Sequence, residues 1–217
     1  MWSGKNIWIL ALSLMVFVVT VPLLTGAVAE STVGTKLDAY RGVTVHDNGL
    51  IYSRSHGRHF ADDGCYYGKK WQCVEFVKRF FHQAHNHKMP DVWGHAKSFF
   101  DENVPHGELN PRRGLLQFRN GGSVYPKTGD LLVFTNGGYG HVAIICRVTT
   151  NDVQVIQQNV VGRTRQTFPL TWTPTSFQIG DSDQPAGWLR VPKPANRQRE
   201  PRRSRQEHRP HLSSPHG

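Results

Sequence analysis

Two residues of this 217-residue chain have the chemistry and the neighbours of a nucleophile and its base. Cys73 begins a stretch with helical spacing, and His141 begins an apolar stretch typical of a strand. A thiolate is the reactive form of cysteine, and a helix N-terminus or a nearby imidazolium lowers the thiol pKa from about 8.5. Cys73 would attack an amide carbonyl to give a thioester, and His141 would protonate the leaving amine. The pair predicts a cysteine hydrolase if the two side chains meet, whereas either residue alone is more often structural.

A histidine that acts as a base needs a partner to fix its ring, and two amides are candidates. Gln157 and Asn159 lie two residues apart at the end of a predicted strand, so both are expected to project to one face. Either amide oxygen could accept the imidazole N–H, and a neutral amide suffices because the thiolate–imidazolium pair carries the charge. The alternative is that these residues form only a polar strand end.

Helical periodicity extends from Cys73 to about His85 and predicts an amphipathic helix with the cysteine in its first turn. A second helix could begin near Asp91, which would serve as its N-cap. The first helix carries its apolar side chains on one broad face and its polar side chains on the other. The apolar set is Val74, Val77, Phe80, Phe81 and Ala84, and the polar set is Glu75, Lys78, Arg79, His82 and Gln83.

Strand patterns dominate the second half of the chain, and helices followed by an antiparallel sheet indicate an α+β fold. One short strand is also expected near residues 49–52, and residues 109–128, with several Gly, Pro and Asn, indicate a loop. The later strands are expected at 131–134, 141–148 and 152–158, with candidate edge strands at 168–177 and 188–191.

The two ends of the chain differ from its middle. Residues 1–29 contain one basic residue, an apolar run and an Ala-x-Ala sequence, which is typical of a cleaved signal peptide. The run at 7–24 is also close to the about 20 residues that a membrane anchor needs, and either reading predicts export. Residues 30–192, with a net charge of +4, form the predicted domain. Residues 193–217, with a net charge of +5 and almost no apolar side chain, are expected to be disordered.

The other reactive side chains add little chemistry. Three cysteines in an exported protein leave at least one thiol without a partner in the chain, and Cys65 and Cys146 are either small buried residues or a bonded pair. His82, His85 and His87 recur at near-helical spacing, but such spacing is common by chance in a chain with 12 histidines. No metal and no cofactor is therefore predicted.

Four segments resemble a known family. They are residues 70–80 (KWQCVEFVKRF), 129–134 (GDLLVF), 140–145 (GHVAII) and 157–160 (QQNV), and they occur in the family's order and spacing. They are similar to CHAP domains, the cysteine, histidine-dependent amidohydrolases and peptidases. Within that family the likeness is to the amidase domains of bifunctional glutathionylspermidine synthetase/amidases, and it covers about residues 40–192.

The resemblance implies a papain-like cysteine hydrolase fold, with N-terminal helices packed on an antiparallel sheet. It also implies amide hydrolysis with Cys73 as nucleophile and His141 as base. Trp71 and Gln72, directly before the nucleophile, are expected to contact substrate. One departure concerns the third motif, in which the family usually has Glu where this chain has Gln157. A carboxylate stabilises an imidazolium better than an amide does. The departure therefore predicts reduced activity, a chain in which Asn159 takes over the orienting task, or an inactive binding module.

The substrate is not fixed by these residues. CHAP domains mostly cut peptidoglycan, and the predicted export favours a peptide amide of the cell wall. The detailed likeness to the polyamine amidases favours the glycine–spermidine amide instead. The basic tail is expected to contact anionic surfaces, whereas nucleic acid is not an expected partner because no aromatic residues are interleaved with the arginines.

Overall fold

The computed structural model describes residues 32–193 of the protein. The predicted signal or anchor segment and the basic tail beyond residue 193 lie outside these residues. Within 32–193 no helix is both long enough and apolar enough to cross a membrane.

The described residues form twelve strands, one α-helix, α1 (Cys73–His85), and one 3₁₀ helix (Ala96–Phe99). All the strands pair in antiparallel fashion. They are β1 (Lys36–Tyr40), β2 (Val43–His46), β3 (Arg58–Phe60), β4 (Tyr66–Lys69), β5 (Leu109–Asn110), β6 (Leu115–Arg119), β7 (Leu131–Phe134), β8 (His141–Val148), β9 (Asp152–Ile156), β10 (Arg165–Thr173), β11 (Ser176–Ile179) and β12 (Gly187–Arg190).

Eight strands form one sheet in the order β11-β10-β9-β8-β7-β12-β6-β5, and β1–β2 and β3–β4 form two separate pairs. The last strand, β12, lies inside the sheet, where Trp188 is opposite Leu132 of β7 and Phe118 of β6. The prediction of an edge strand at 188–191 is therefore wrong. Trp188 and Leu189 are both fully buried, because an interior strand covered on both faces has no polar side to show.

Other strand predictions need correction as well. Residues 168–177 fall across a hairpin of β10 and β11, and only β11 lies at the sheet edge. Residues 109–128 contain β5 and β6 in addition to loop, because the turn-forming residues there separate short strands. Residues 49–52 form no strand, and the side chains of this apolar stretch are exposed.

The alternation of side chains along β7 builds an apolar cluster on each face of the sheet. Leu131 and Val133 join the cluster that contains α1, whereas Leu132 and Phe134 join the cluster on the opposite face. All four side chains are buried, and each contributes about 1.5–3 kcal/mol by leaving water. This central strand therefore fixes the sheet beneath α1.

The predicted first helix is confirmed, since α1 begins at Cys73 and ends at His85. Asn86 follows in the left-handed region and ends the helix, with its N–H donating to Phe81 O. The predicted second helix near Asp91 is wrong. Its residues are irregular, because Gly94 adopts a φ of +111°, and only the short 3₁₀ helix follows.

The N-terminal part of the polar face of α1 is also buried, whereas an amphipathic pattern ordinarily predicts a solvated face; Gln83, farther along, is exposed. Glu75 is 0% exposed and Arg79 is 4% exposed. Glu75 accepts hydrogen bonds from Arg79 Nε at 2.6 Å, from His59 Nδ1 at 2.7 Å and from Gln158 Nε2 at 2.7 Å. Two of these partners come from segments remote in sequence, so the helix pattern alone does not reveal them.

Candidate active site

Cys73 is the first residue of α1, and its position follows from three local features. Gln72 is the extended N-cap residue, and its carbonyl accepts the first helical bond, from Phe76 N. Gly68 of β4 lies so close that a Cβ there would be 3.2 Å from Glu75 Cα, so β4 packs on the first turn. The Cys73 side chain is 9% exposed and belongs to the apolar cluster between α1 and the sheet.

His141 is the first residue of β8 and pairs in register with Phe134 of β7. Gly140 precedes it with a φ of +70°, and a Cβ there would lie 2.5 Å from Phe134 O and 2.8 Å from Lys97 N. Only glycine fits this position, because a side chain would meet backbone atoms on two sides. The turn thus delivers the imidazole at the end of the strand.

The backbone beside His141 connects the two residues. The backbone N–H groups of Val142, Val74 and Cys73 each lower the pKa of the Cys73 thiol. Val142 and Cys73 also share one apolar cluster. The structure therefore places the thiol next to the start of β8. No hydrogen bond joins the thiol to the His141 ring within residues 32–193.

Gln157 fixes the ring of His141. Its Oε1 lies 3.0 Å from His141 Nε2, and its Nε2 donates to Arg163 O at 3.4 Å. Because the Arg163 carbonyl can only accept a hydrogen bond, the amide nitrogen of Gln157 must face it, and Oε1 is turned toward the imidazole. His141 Nε2 then carries the proton, and Nδ1 of the neutral ring is the basic nitrogen. Nδ1 makes no hydrogen bond within the described part of the chain.

Asn159 lies on a different side of the site, so the expectation that it shares a face with Gln157 is wrong. The strand β9 ends at Ile156, and Asn159 adopts a left-handed φ of +66°, which breaks the alternation. Its Nδ2 donates to Gln72 Oε1 at 2.9 Å, and its Oδ1 accepts from Asn48 Nδ2 at 2.8 Å. Asn159 therefore holds the segment before Cys73 and leaves the ring to Gln157.

Trp71 and Gln72 are both engaged within the protein. The Trp71 indole stacks on His46 with ring centroids 4.0 Å apart. Gln72 Nε2 donates to Arg54 O at 2.7 Å and to Tyr52 O at 3.1 Å, which uses both of its N–H groups. A contact of either side chain with substrate stays a prediction, and Gln72 has no spare donor to offer in this arrangement.

Burial decides the protonation of the pair. Desolvation raises the pKa of the Cys73 thiol to about 11, although three backbone N–H groups act in the opposite direction. Desolvation also lowers the pKa of His141, whereas the hydrogen bond that its ring donates to Gln157 and the charge of Asp183 raise this pKa. A neutral thiol beside a neutral imidazole is therefore the resting state near pH 7, and the imidazole is ready to accept a proton.

The other candidate side chains do not converge on this site. Cys65 and Cys146 are both free thiols, which excludes the bonded-pair alternative in this structure. His82 contacts Tyr67 and Asp63, whereas His87 contacts the carbonyl of Arg113. Within residues 32–193 no three His, Cys, Asp or Glu side chains cluster in a way that could hold a metal ion.

Sequence reasoning missed the buried amides and charges that support the site. Asn48 is 3% exposed, and its Oδ1 accepts from Trp71 N at 3.0 Å. Gln158 accepts from His46 N at 2.8 Å and donates to Gln72 O at 3.1 Å. No local pattern marks such residues, because their partners lie far away along the chain.

Comparison with known proteins confirms the resemblance. Residues 63–159 match the family model described as CHAP domain, and this segment contains Cys73, His141, Gln157 and Asn159. The bifunctional glutathionylspermidine synthetase/amidase of Escherichia coli (strain K12) is 37% identical over 111 residues, which are 48% of this chain and 17% of that protein.

Two relatives from Crithidia fasciculata are more distant. The trypanothione synthetase is 28% identical over 116 residues, which are 50% of this chain and 18% of that protein. The glutathionylspermidine synthase is 28% identical over 144 residues, which are 58% of this chain and 20% of that protein. The chain thus spans at most a fifth of the length of these relatives.

Proposed function

Because residues 63–159 match the CHAP domain, a type of amidohydrolase and peptidase domain, we propose that this protein is a thiol-dependent amidohydrolase of papain-like arrangement. Cys73 is the nucleophile, His141 the base, and Gln157 the residue that orients the base. The observation that carries the proposal is the 3.0 Å contact of His141 with Gln157, at the strand end whose next residue, Val142, shares an apolar cluster with Cys73.

The reaction follows from the neutral resting pair. As the Cys73 sulfur attacks the substrate carbonyl, His141 Nδ1 takes the thiol proton, and Gln157 Oε1 stabilises the imidazolium through the opposite nitrogen. We assign the stabilisation of the carbonyl oxygen, as it becomes negative, to the N–H groups of the first turn of α1, among them those of Cys73 and Val74. The imidazolium gives its proton to the leaving amine, and a thioester remains. Water, deprotonated by His141, hydrolyses the thioester and restores the thiol.

Two amide substrates have separate support. The apolar run at 7–24 and the Ala-x-Ala sequence, outside the described residues, favour an exported protein that acts on peptidoglycan peptides. A basic tail at 193–217 would then favour contact with anionic surface polymers. The relative whose name includes glutathionylspermidine synthetase/amidase favours the release of spermidine from a glutathionylspermidine-type amide.

The test uses the full chain, a Cys73→Ala variant and a Cys146→Ala variant, which removes a half-buried thiol that makes no contact with His141. Each protein is incubated with purified peptidoglycan and, separately, with glutathionylspermidine. New muropeptides are measured by mass spectrometry and free spermidine by chromatography. We expect product from the wild type and from Cys146→Ala, and none from Cys73→Ala. Product that does not depend on Cys73 would refute the nucleophile, and an absence of product from both substrates would refute both substrate assignments.

A catalytically silent binding module is the competing reading, and thiol chemistry distinguishes it. The full chain and a His141→Ala variant are treated with iodoacetamide between pH 6 and 9, and Cys73 modification is followed by peptide mass spectrometry. A working pair makes the Cys73 rate depend on His141. Equal rates in the two proteins would favour the silent module.

A further inference from the structure

His141 lines a cavity of about 250 Å³. One residue of the cavity wall carries a carboxylate. His141 and Gln157 line it together with the neutral side chains of Phe134 and Gln166, and Asp183 is its acidic member. No Lys or Arg residue lines the cavity. A carboxylate therefore shares this small space with the imidazole and with the amide that orients it.

The loop that carries Asp183 is held firmly against the sheet. It connects β11 to β12, and Gly180 N donates to Pro169 O at 2.9 Å at one end, whereas Ala186 N donates to Val133 O at 2.8 Å at the other. Gly180 has a φ of +81°, and a Cβ there would lie 2.5 Å from Asp183 O, so the loop closes tightly on this glycine. These contacts fix the backbone of the loop beside the cavity.

The Asp183 charge is not neutralised by a neighbour. Within residues 32–193 no Lys, Arg or His nitrogen forms an ion pair with its carboxylate, whereas the buried Asp130 is paired with Arg190 at 2.6 Å. Asp183 is an exposed residue of the cavity wall, so water weakens but does not remove the effect of its charge on groups that line the same cavity. His141 is the other ionisable residue of that wall.

We propose that Asp183 is a positioning residue that acts through His141, and that its carboxylate supplies the negative charge which Gln157 lacks. This inference rests on the proposed function, because it assigns a role in the same acid–base cycle. The amide of Gln157 fixes the ring by a hydrogen bond, and the carboxylate of Asp183 stabilises the charged ring across the cavity. One task that a single glutamate could perform is thus divided between two residues.

The electrostatics of His141 agree with this division. Burial is the main influence and lowers the pKa of His141, whereas the Gln157 hydrogen bond and the Asp183 charge raise it. The other titratable groups near the ring are the Cys73 thiol from α1 and Lys97, whose backbone packs on Gly140. The negative charge of Asp183 thus acts on the His141 pKa in the same direction as the Gln157 hydrogen bond.

The test compares Asp183→Asn with Asp181→Asn in the full chain. Asp181 is an exposed acid of the same loop, and it is the matched control because only its backbone carbonyl makes a contact, with Gln184 Nε2 at 2.8 Å. The His141 ring is titrated by NMR, with its signal assigned through His141→Asn. We expect Asp183→Asn to move the His141 titration to lower pH, and Asp181→Asn to leave it in place.

A second variant tests whether a carboxylate at position 157 can replace the carboxylate of Asp183. Addition of Gln157→Glu to Asp183→Asn should return the His141 titration to higher pH, because a charge is restored beside the ring. If activity is found, its acid limb should move to lower pH in Asp183→Asn together with a lower plateau. A His141 titration that is equal in Asp183→Asn and Asp181→Asn would overturn the inference. The NMR titration of His141 needs no substrate, whereas the hydrolase proposal is judged by Cys73-dependent product. A failure of the inference about Asp183 is therefore distinct from a failure of the hydrolase proposal.

Discussion

The buried carboxylate of Glu75 provides a test of how α1, the helix that begins at Cys73, is held in place. Replacement of Glu75 by Ala removes the acceptor of four hydrogen bonds, two from Arg79 and one each from His59 and Gln158. Arg79 is then left in the core with the carbonyl of Thr44, at 2.8 Å, as its main acceptor. An uncompensated buried charge of this kind costs about 3–5 kcal/mol of unfolding free energy.

The loss of stability from Glu75→Ala should be visible in urea or thermal unfolding. About 3–5 kcal/mol corresponds to a melting temperature lower by about 6–20 °C in a protein of this size. The fully buried Trp188 gives a fluorescence signal for the transition. Glu108→Ala, at an exposed position, is the control and should change the unfolding free energy by less than about 0.5 kcal/mol.

A double-mutant cycle identifies the cause of the effect. Arg79→Ala in the Glu75→Ala background should restore part of the stability, because the orphaned charge is removed as well. If Glu75→Ala is no more destabilising than Glu108→Ala, the buried ionic network does not hold α1 and the reasoning fails. If the double variant loses the full sum of the two single losses, the stranded charge is not the cause.

Three further predictions concern the site and its pH range. Gly140→Ala should cost at least about 2 kcal/mol of stability and reduce activity, whereas Gly138→Ala, where a Cβ meets nothing within 4 Å, should be silent in unfolding and activity assays. Gln157→Glu should keep or raise activity. It should lower the unfolding free energy by about 1 kcal/mol, because the new carboxylate would face the carbonyl of Arg163. A large loss of activity would mean that the amide itself is required. Burial raises the pKa of Glu75, but the hydrogen bonds from its partners outweigh burial and keep this pKa below its ordinary value of 4.5. The ionised Glu75 therefore stabilises the fold above about pH 4.5, and this stabilisation is lost as the pH falls through the lowered pKa. Unfolding measured between pH 3 and 7 should show a smaller acid-induced loss in Glu75→Gln than in the wild type.

The helix of the nucleophile could be predicted from the sequence because its signal is local. The apolar spacing after Cys73 gives the start and the end of α1 correctly. The same spacing could not reveal that Glu75 and Arg79 are buried, since that depends on His59 and Gln158, which reach the helix from other parts of the chain. Buried polar groups are thus predictable only with knowledge of their partners.

The strands show the same division between local and distant information. The apolar pattern at 131–134 predicts β7 correctly, because a run of buried residues is itself the signal. The place of β12 between β7 and β6 could not be predicted, since order within a sheet depends on which distant strands pair. The separation of Gln157 from Asn159 could not be predicted either, because it depends on the left-handed backbone at Asn159.

The central place of β12 has a consequence for synthesis of the protein. On the ribosome, Cys73 and α1 emerge more than a hundred residues before Gly187. Until β12 is made, β6 and β7 face each other as two unpaired edges, and the sheet beneath the nucleophile helix is incomplete. The last strand therefore acts as a closing element, and the sheet that carries His141 is complete only after nearly all of the described residues have left the ribosome.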